Sequence, residues 1–212
     1  MSELDWNFDF NFEVDEKKYN EVDICGLAKK MKSKERHFFN LQNEVGQLSA
    51  ICKTPPSKNE VIKAISVGGG WSCLAFIKWI AEVERIEEMY VSTFRIGKNH
   101  INELNALYSA RKLGKCHFVT SSTQKKVDEK MIYNGKEYRY FDYICEICEN
   151  NGWELKFYDN HSKIVLMRTK QNWYVLETSS NLNENPKMEQ FSFENDKELF
   201  DFYLQVFEVL LK

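Results

Sequence analysis

His161-Ser162-Lys163 is followed by Thr178-Ser179-Ser180-Asn181 and then by Glu189. Side chains alternate across a strand with a period of two, so His161 and Lys163 share one face. A turn rich in hydroxyls and amides at 178–181 is placed to close over that face. The combination describes a pocket for a phosphate group.

The elements that must position these residues follow from periodicity. A strand at Val61–Val67, the glycines 68–70 and a helix from Trp71 to Val83 come first. The glycines match neither G-x-G-x-x-G nor a loop ending in Gly-Lys-Ser/Thr, so they are read as a tight turn rather than a nucleotide site. "MYVSTFRI" and "CHFVTSS" are short β-rich runs flanking a helix, the grammar of a β-α-β unit. The expected fold class is therefore α/β, a mixed and mostly parallel sheet flanked by helices on both faces.

Ligands of open α/β sheets gather at the carboxyl ends of strands. That rule selects Thr93, Arg95 and Ser121 as residues lining the approach to the pocket. Lys125 and Lys126 open a segment in which cations interleave with Tyr133, Tyr138 and Tyr140. Such interleaving suits a nucleic-acid groove, because bases stack on rings while phosphates pair with cations; an exposed charged linker has the same composition. His117, in mid-strand, is expected to be structural, and His100, in the first turn of a helix, solvated.

Upstream, "LDWNFDFNFEV" at 4–14 alternates aromatic and acidic or amide residues and reads as a half-buried strand. The sharper alternative is an acidic arm that mimics nucleic acid across a basic groove. Residues 23–50 read as a helix with a basic middle, ending near the breaker "TPPS". These features divide the chain into an N-terminal extension, 1–57, and a main domain, 58–212.

At 212 residues with 43% hydrophobic and 14% aromatic content, the chain can bury a core. Its formal net charge of −3 argues against a nonspecific DNA coat but leaves room for a local basic site. The apolar run Cys73–Ala81 is interrupted by Lys78 and is well short of the ~20 residues of a membrane span. The acidic N-terminus does not resemble a signal peptide, so a soluble cytoplasmic protein with no membrane partner is expected. Six scattered cysteines fit reduced thiols, and Cys145-x-x-Cys148, lacking a second pair, reads as part of a helix.

The run Asp159–Phe193 resembles the phospholipase D superfamily, whose signature is H-x-K, four residues, Asp, then G-S-x-N and a downstream Glu. Here Arg168 stands at the Asp position and Thr178 at the Gly position. The order of elements over 60–212 is similar to one half of such a domain, in particular to compact single-motif members of bacteria and mobile elements. The resemblance implies a phospholipase D-like fold and a metal-independent, cofactor-free phosphodiesterase. His161 would attack phosphorus to give a phosphohistidine, with Lys163, Asn181 and Ser179 holding the phosphoryl oxygens. Glu189 would fix a histidine's tautomer. Single-motif members pair as homodimers, so that His161 of a second subunit would be the acid. Nucleic acid is the expected substrate; a catalytically silent nucleic-acid-binding module is the alternative, and a phospholipid hydrolase comes third.

Overall fold

The computed structural model describes residues 29–30, 35–40, 48, 52–67, 71–126, 130–133, 136–183 and 187–212. The aromatic stretch at 4–14 and the glycines 68–70 lie outside the described residues. Two short strands, β1 (Lys29–Lys30) and β2 (Glu35–Asn40), precede β3 (Val61–Ser66). Helix α1 (Cys73–Val83), β4 (Ile86–Thr93), α2 (Lys98–Ser109) and β5 (Leu113–Ser121) follow. A 3-10 turn at Ser122–Lys126 leads into the hairpin β6 (Lys130–Tyr133) and β7 (Lys136–Arg139), and then α3 (Tyr140–Asn150). The chain continues through β8 (Glu154–Tyr158), β9 (Ile164–Arg168), β10 (Trp173–Thr178), β11 (Glu189–Asn195) and α4 (Lys197–Leu210).

Nine of these strands form one sheet in the order β1-β2-β3-β11-β10-β9-β4-β5-β8. It is mixed, as expected, but antiparallel pairs outnumber parallel ones, whereas the sequence predicts a mostly parallel sheet. Between the named strands, parallel pairing is confined to β2–β3, β4–β5 and β5–β8. The turn between Arg168 and Trp173 fixes the direction of one of these pairs, β9–β10. It is a tight connection in which Thr169 N–H donates to the Asn172 carbonyl (3.0 Å) and Asn172 N–H to Thr169 Oγ1 (3.0 Å). A parallel crossover needs about a dozen residues, so a turn this short forces β9 and β10 to run antiparallel.

A second correction concerns 35–40. Its backbone is a strand parallel to β3, where the sequence predicts part of a basic helix.

Strand β3 buries Ile62, Ala64 and Ser66 and turns Lys63 and Ile65 to the other face, the period-two pattern of a half-buried strand. The buried face packs under α1, where Phe76 meets Phe191 (ring centroids 4.9 Å) and Phe193 (5.3 Å). The opposite face is covered at β10, β9 and β5 by α4, whose Phe200 and Phe207 pack with Val119, Leu166 and Val175. Asp196 caps that helix by accepting from Leu199 N–H (3.0 Å). Helices thus flank both faces. At the start of β5 a Cβ on Gly114 would fall 2.1 Å from the Glu87 carbonyl oxygen, so only glycine permits this approach of β5 to β4. None of the helices among the described residues is long and apolar enough to cross a membrane.

Candidate functional site

The registers bring the carboxyl ends of β3, β4, β5, β8 and β10 to one end of the sheet. Ser66 pairs with Glu189, Ser92 and Glu177 both pair with Ile164, and Ser121 pairs with Tyr158. The loop carrying His161 and Lys163 precedes β9 at this end. The turn 178–181 leaves β10 beside it.

His161 is exposed, with its ring against Phe94 (centroids 5.3 Å). The Lys163 ammonium donates to the His161 carbonyl (2.6 Å) and lies 3.1 Å from His161 Nδ1. An ammonium can only donate, so this contact puts the ring's lone pair at Nδ1 and its proton at Nε2. Burial lowers the Lys163 pKa, and the charge of Glu189 partly opposes that.

On the neighbouring turn Thr178 Oγ1 donates to the Gln190 carbonyl (2.8 Å) and accepts from Ser180 N–H (2.9 Å). Ser179 Oγ donates to Glu189 and accepts from Gln190 N–H (3.0 Å). Asn181 Oδ1 accepts from Phe94 N–H (3.2 Å), which ties the turn to the segment after β4. The Asn181 carbonyl accepts from Cys73 Sγ (3.3 Å) at the start of α1, a thiol that burial pushes up to about 12. His161 packs on Phe94, whose N–H meets Asn181 Oδ1, Ser179 bonds Glu189, and the charge of Glu189 acts on Lys163, so the five residues gather at this end of the sheet. Glu189 is only 4% exposed and bonds Ser179, whereas the resemblance places it on a histidine.

The residues expected to line the approach divide. Thr93 is 2% exposed; its hydroxyl donates to the Arg95 carbonyl (3.0 Å) and accepts from Leu182 N–H (3.0 Å). Ser121 is fully buried, with its Oγ accepting from Thr123 N–H (3.2 Å). Both hydroxyls brace turns rather than face a ligand. Period-two counting misses this because both positions end strands whose following residues fold back over them. Arg95 lines a cavity of about 340 Å³ with Lys98, His100, Tyr140 and Asn183. Lys125 is exposed, its ammonium 4.2 Å from the Phe157 ring centre, and Lys126 closes the 3-10 turn.

The histidines divide too. His117 is structural, as expected. His100 is buried and within 2.9 Å of Ser72 Oγ, where the sequence predicts a solvated side chain.

Arg168 lies at the far end of β9. Four strand steps put about 13 Å between it and Ile164. Its guanidinium bonds Glu87 (2.7 Å) and Glu88 (3.0 Å). Glu88 is in turn 3.2 Å from His117 Nε2, whose Nδ1 is 2.9 Å from Glu154. Asn160, Ser92 and Ser162 form a polar cluster behind His161 that sequence spacing does not reveal, because its members meet only through the β4–β9 register.

No protein-family model and no curated protein matches the chain. Among solved structures it is similar to Nuc, a phospholipase D family member from Salmonella typhimurium: 14% identity, 71% of this chain and 93% of that one, TM-score 0.49. It is also similar to a polyphosphate kinase from Porphyromonas gingivalis: 13% identity, 65% of this chain and 23% of that one, TM-score 0.48. A third similarity is to a phosphatidylserine synthase from Haemophilus influenzae: 15% identity, 69% of this chain and 36% of that one, TM-score 0.45.

Proposed function

We propose that the chain is a metal-independent phosphodiesterase acting on nucleic acid, with a site shared across a homodimer. The observation that supports it most is the meeting at one end of the sheet of the Lys163 ammonium with His161 Nδ1 (3.1 Å) and of the Lys163 carbonyl with Thr178 N–H (3.2 Å), at the head of the turn that carries Ser179 and Asn181. On this reading Lys163 and the Asn181 amide hold non-bridging oxygens, with Ser179 adding a hydroxyl. His161 Nε2 attacks phosphorus in line; the N–P bond forms as the bond to the leaving oxygen breaks. That oxygen takes a proton from His161 of the second subunit. The same histidine then draws a proton from the water that hydrolyses the phosphohistidine.

Attack requires the lone pair at Nε2, so Lys163 must leave Nδ1 for a phosphoryl oxygen while the ring proton passes from Nε2 to Nδ1 through the water around this exposed ring. Charge for the transition state then comes from protein groups already in place. The choice of nucleic acid rests on Lys125, exposed beside Phe157 on the turn that follows β5 at this same end.

A second reading is favoured by one feature: Glu189 is occupied by Ser179, which suits a binding module that does not turn over. Labelled oligonucleotide incubated with the full chain in excess EDTA separates the two. Cleavage that persists in EDTA and is blocked by vanadate or tungstate supports the enzyme. Retention without cleavage supports the module, and strict dependence on a divalent ion overturns the proposed chemistry.

A further inference from the structure

The His161–Lys163 loop precedes its strand, so something other than the β9 ladder must fix where the imidazole points. The Asn160 side chain is placed to do so. Its Nδ2 donates toward Ser92 Oγ (2.9 Å), the Thr93 carbonyl (3.2 Å) and the Val119 carbonyl (3.0 Å). Those acceptors lie near the carboxyl ends of β4 and β5, two different strands. Its Oδ1 accepts from Ser162 N–H (2.9 Å) and Ser162 Oγ (2.8 Å), on the other side of His161. Ser162 Oγ is also 2.5 Å from Ser92 Oγ.

One amide thus spans the sheet end and grips the residue after the histidine. His161 is held from both neighbours, while its own ring stays exposed against Phe94. An amide is suited to this role because it offers donors and an acceptor on one planar group. A carboxylate of the same shape would set oxygens against the Thr93 and Val119 carbonyls, and an aliphatic side chain would leave those acceptors without this donor.

We infer that Asn160 is the positioning residue of the site, acting through Ser92 and Ser162 to aim His161 and Lys163 at one phosphoryl group. This rests on the phosphodiesterase reading. Asn160 touches no substrate atom in the scheme; it sets the direction of attack, where displacement by about 1 Å can cost on the order of 10²-fold in rate.

The test compares the parent chain with Asn160→Asp and Ser162→Ala on bis(p-nitrophenyl) phosphate in EDTA. Tungstate titration, followed through the His161 ring protons by NMR, runs alongside. Asn160→Asp should lower kcat by about 10²-fold. Its KM should stay within about threefold and its melting temperature near the parent's, with the His161 resonances shifted before any tungstate is added. Ser162→Ala, which keeps the backbone N–H bond to Asn160, should show a smaller fall in kcat and guards against an Asn160 variant that does not fold.

Parent-like kcat in both variants overturns the inference. So does a fall in kcat that merely tracks the loss of folded protein, since that is a structural role. A parent chain that neither cleaves the diester nor responds to tungstate removes the phosphodiesterase reading, and the positioning role falls with it.

Discussion

The two ends of β9 treat charge in opposite ways. At its carboxyl end Arg168 is held by Glu87 and Glu88, and the network runs on through His117 to Glu154. At its amino end Lys163 donates to a neutral carbonyl and reaches an imidazole. A cation matched by carboxylates has little field left for a ligand. Lys163 bonds neutral acceptors and feels Glu189 through charge alone, so more of its attraction for an anion is left. On the proposed reading, one end of the strand serves stability and the other anion chemistry.

The largest effect that would break this contrast is expected at His161. His161→Ala should lower turnover of a diester by about 10² to 10⁴-fold while oligonucleotide affinity changes little, because the cation and amide of the cradle remain. Kinetics and filter binding on the same preparation check it. Equal losses in both would show that His161 holds substrate rather than reacting with it.

Arg168→Asp attacks the other end. It removes bonds to two carboxylates and sets a third beside them. Because Arg168 and Glu87 are substantially exposed, the cost is discounted to on the order of 1–2 kcal/mol, read as a lower midpoint in urea. Turnover per folded molecule should not change. A rise in turnover would place Arg168 in the site despite its distance.

The acid limb of stability sharpens the same point. Burial pushes the Glu88 carboxyl up, but hydrogen bonds from Arg168, His117 and Tyr90 outweigh it and hold the pKa below its ordinary 4.5. A carboxyl depressed in the fold contributes stability that is present above its unfolded pKa and is lost as pH falls through the folded one. Denaturation midpoints of the parent chain should therefore fall as pH drops below about 4.5, and Arg168→Met should make that limb shallower.

The smallest effect is expected at the rim, where Lys125→Ala should weaken oligonucleotide binding by about two- to threefold and leave hydrolysis of a small diester unchanged. Salt-dependent binding isotherms are the check.

How much of this was legible beforehand differs between the same two ends. His161 and Lys163 were visible because a two-residue period is local, and the turn at 178–181 because its composition is. The role of Arg168 at the signature's Asp position was not legible, since counting along one strand from His161 cannot show that Glu87 and Glu88, some eighty residues earlier, sit against its far end. Asn160 was invisible for the same reason, as its partners at Ser92, Thr93 and Val119 are set by strand register. The α/β class followed from alternating elements, but strand direction did not, because the apolar runs of β9 and β10 read alike whichever way they pair. The strand at 35–40 is hidden from periodicity because its pairing with β3 is non-local.

In the proposed reaction His161 becomes covalently bound to phosphorus. The full chain, in molar excess over an oligonucleotide carrying internal radioactive phosphate, is mixed in EDTA, quenched in alkali within one turnover and digested. Label is expected on the peptide containing His161, stable to alkali, lost in acid and missing from His161→Ala. Cleavage with no labelled peptide, or with label on another residue, would contradict it.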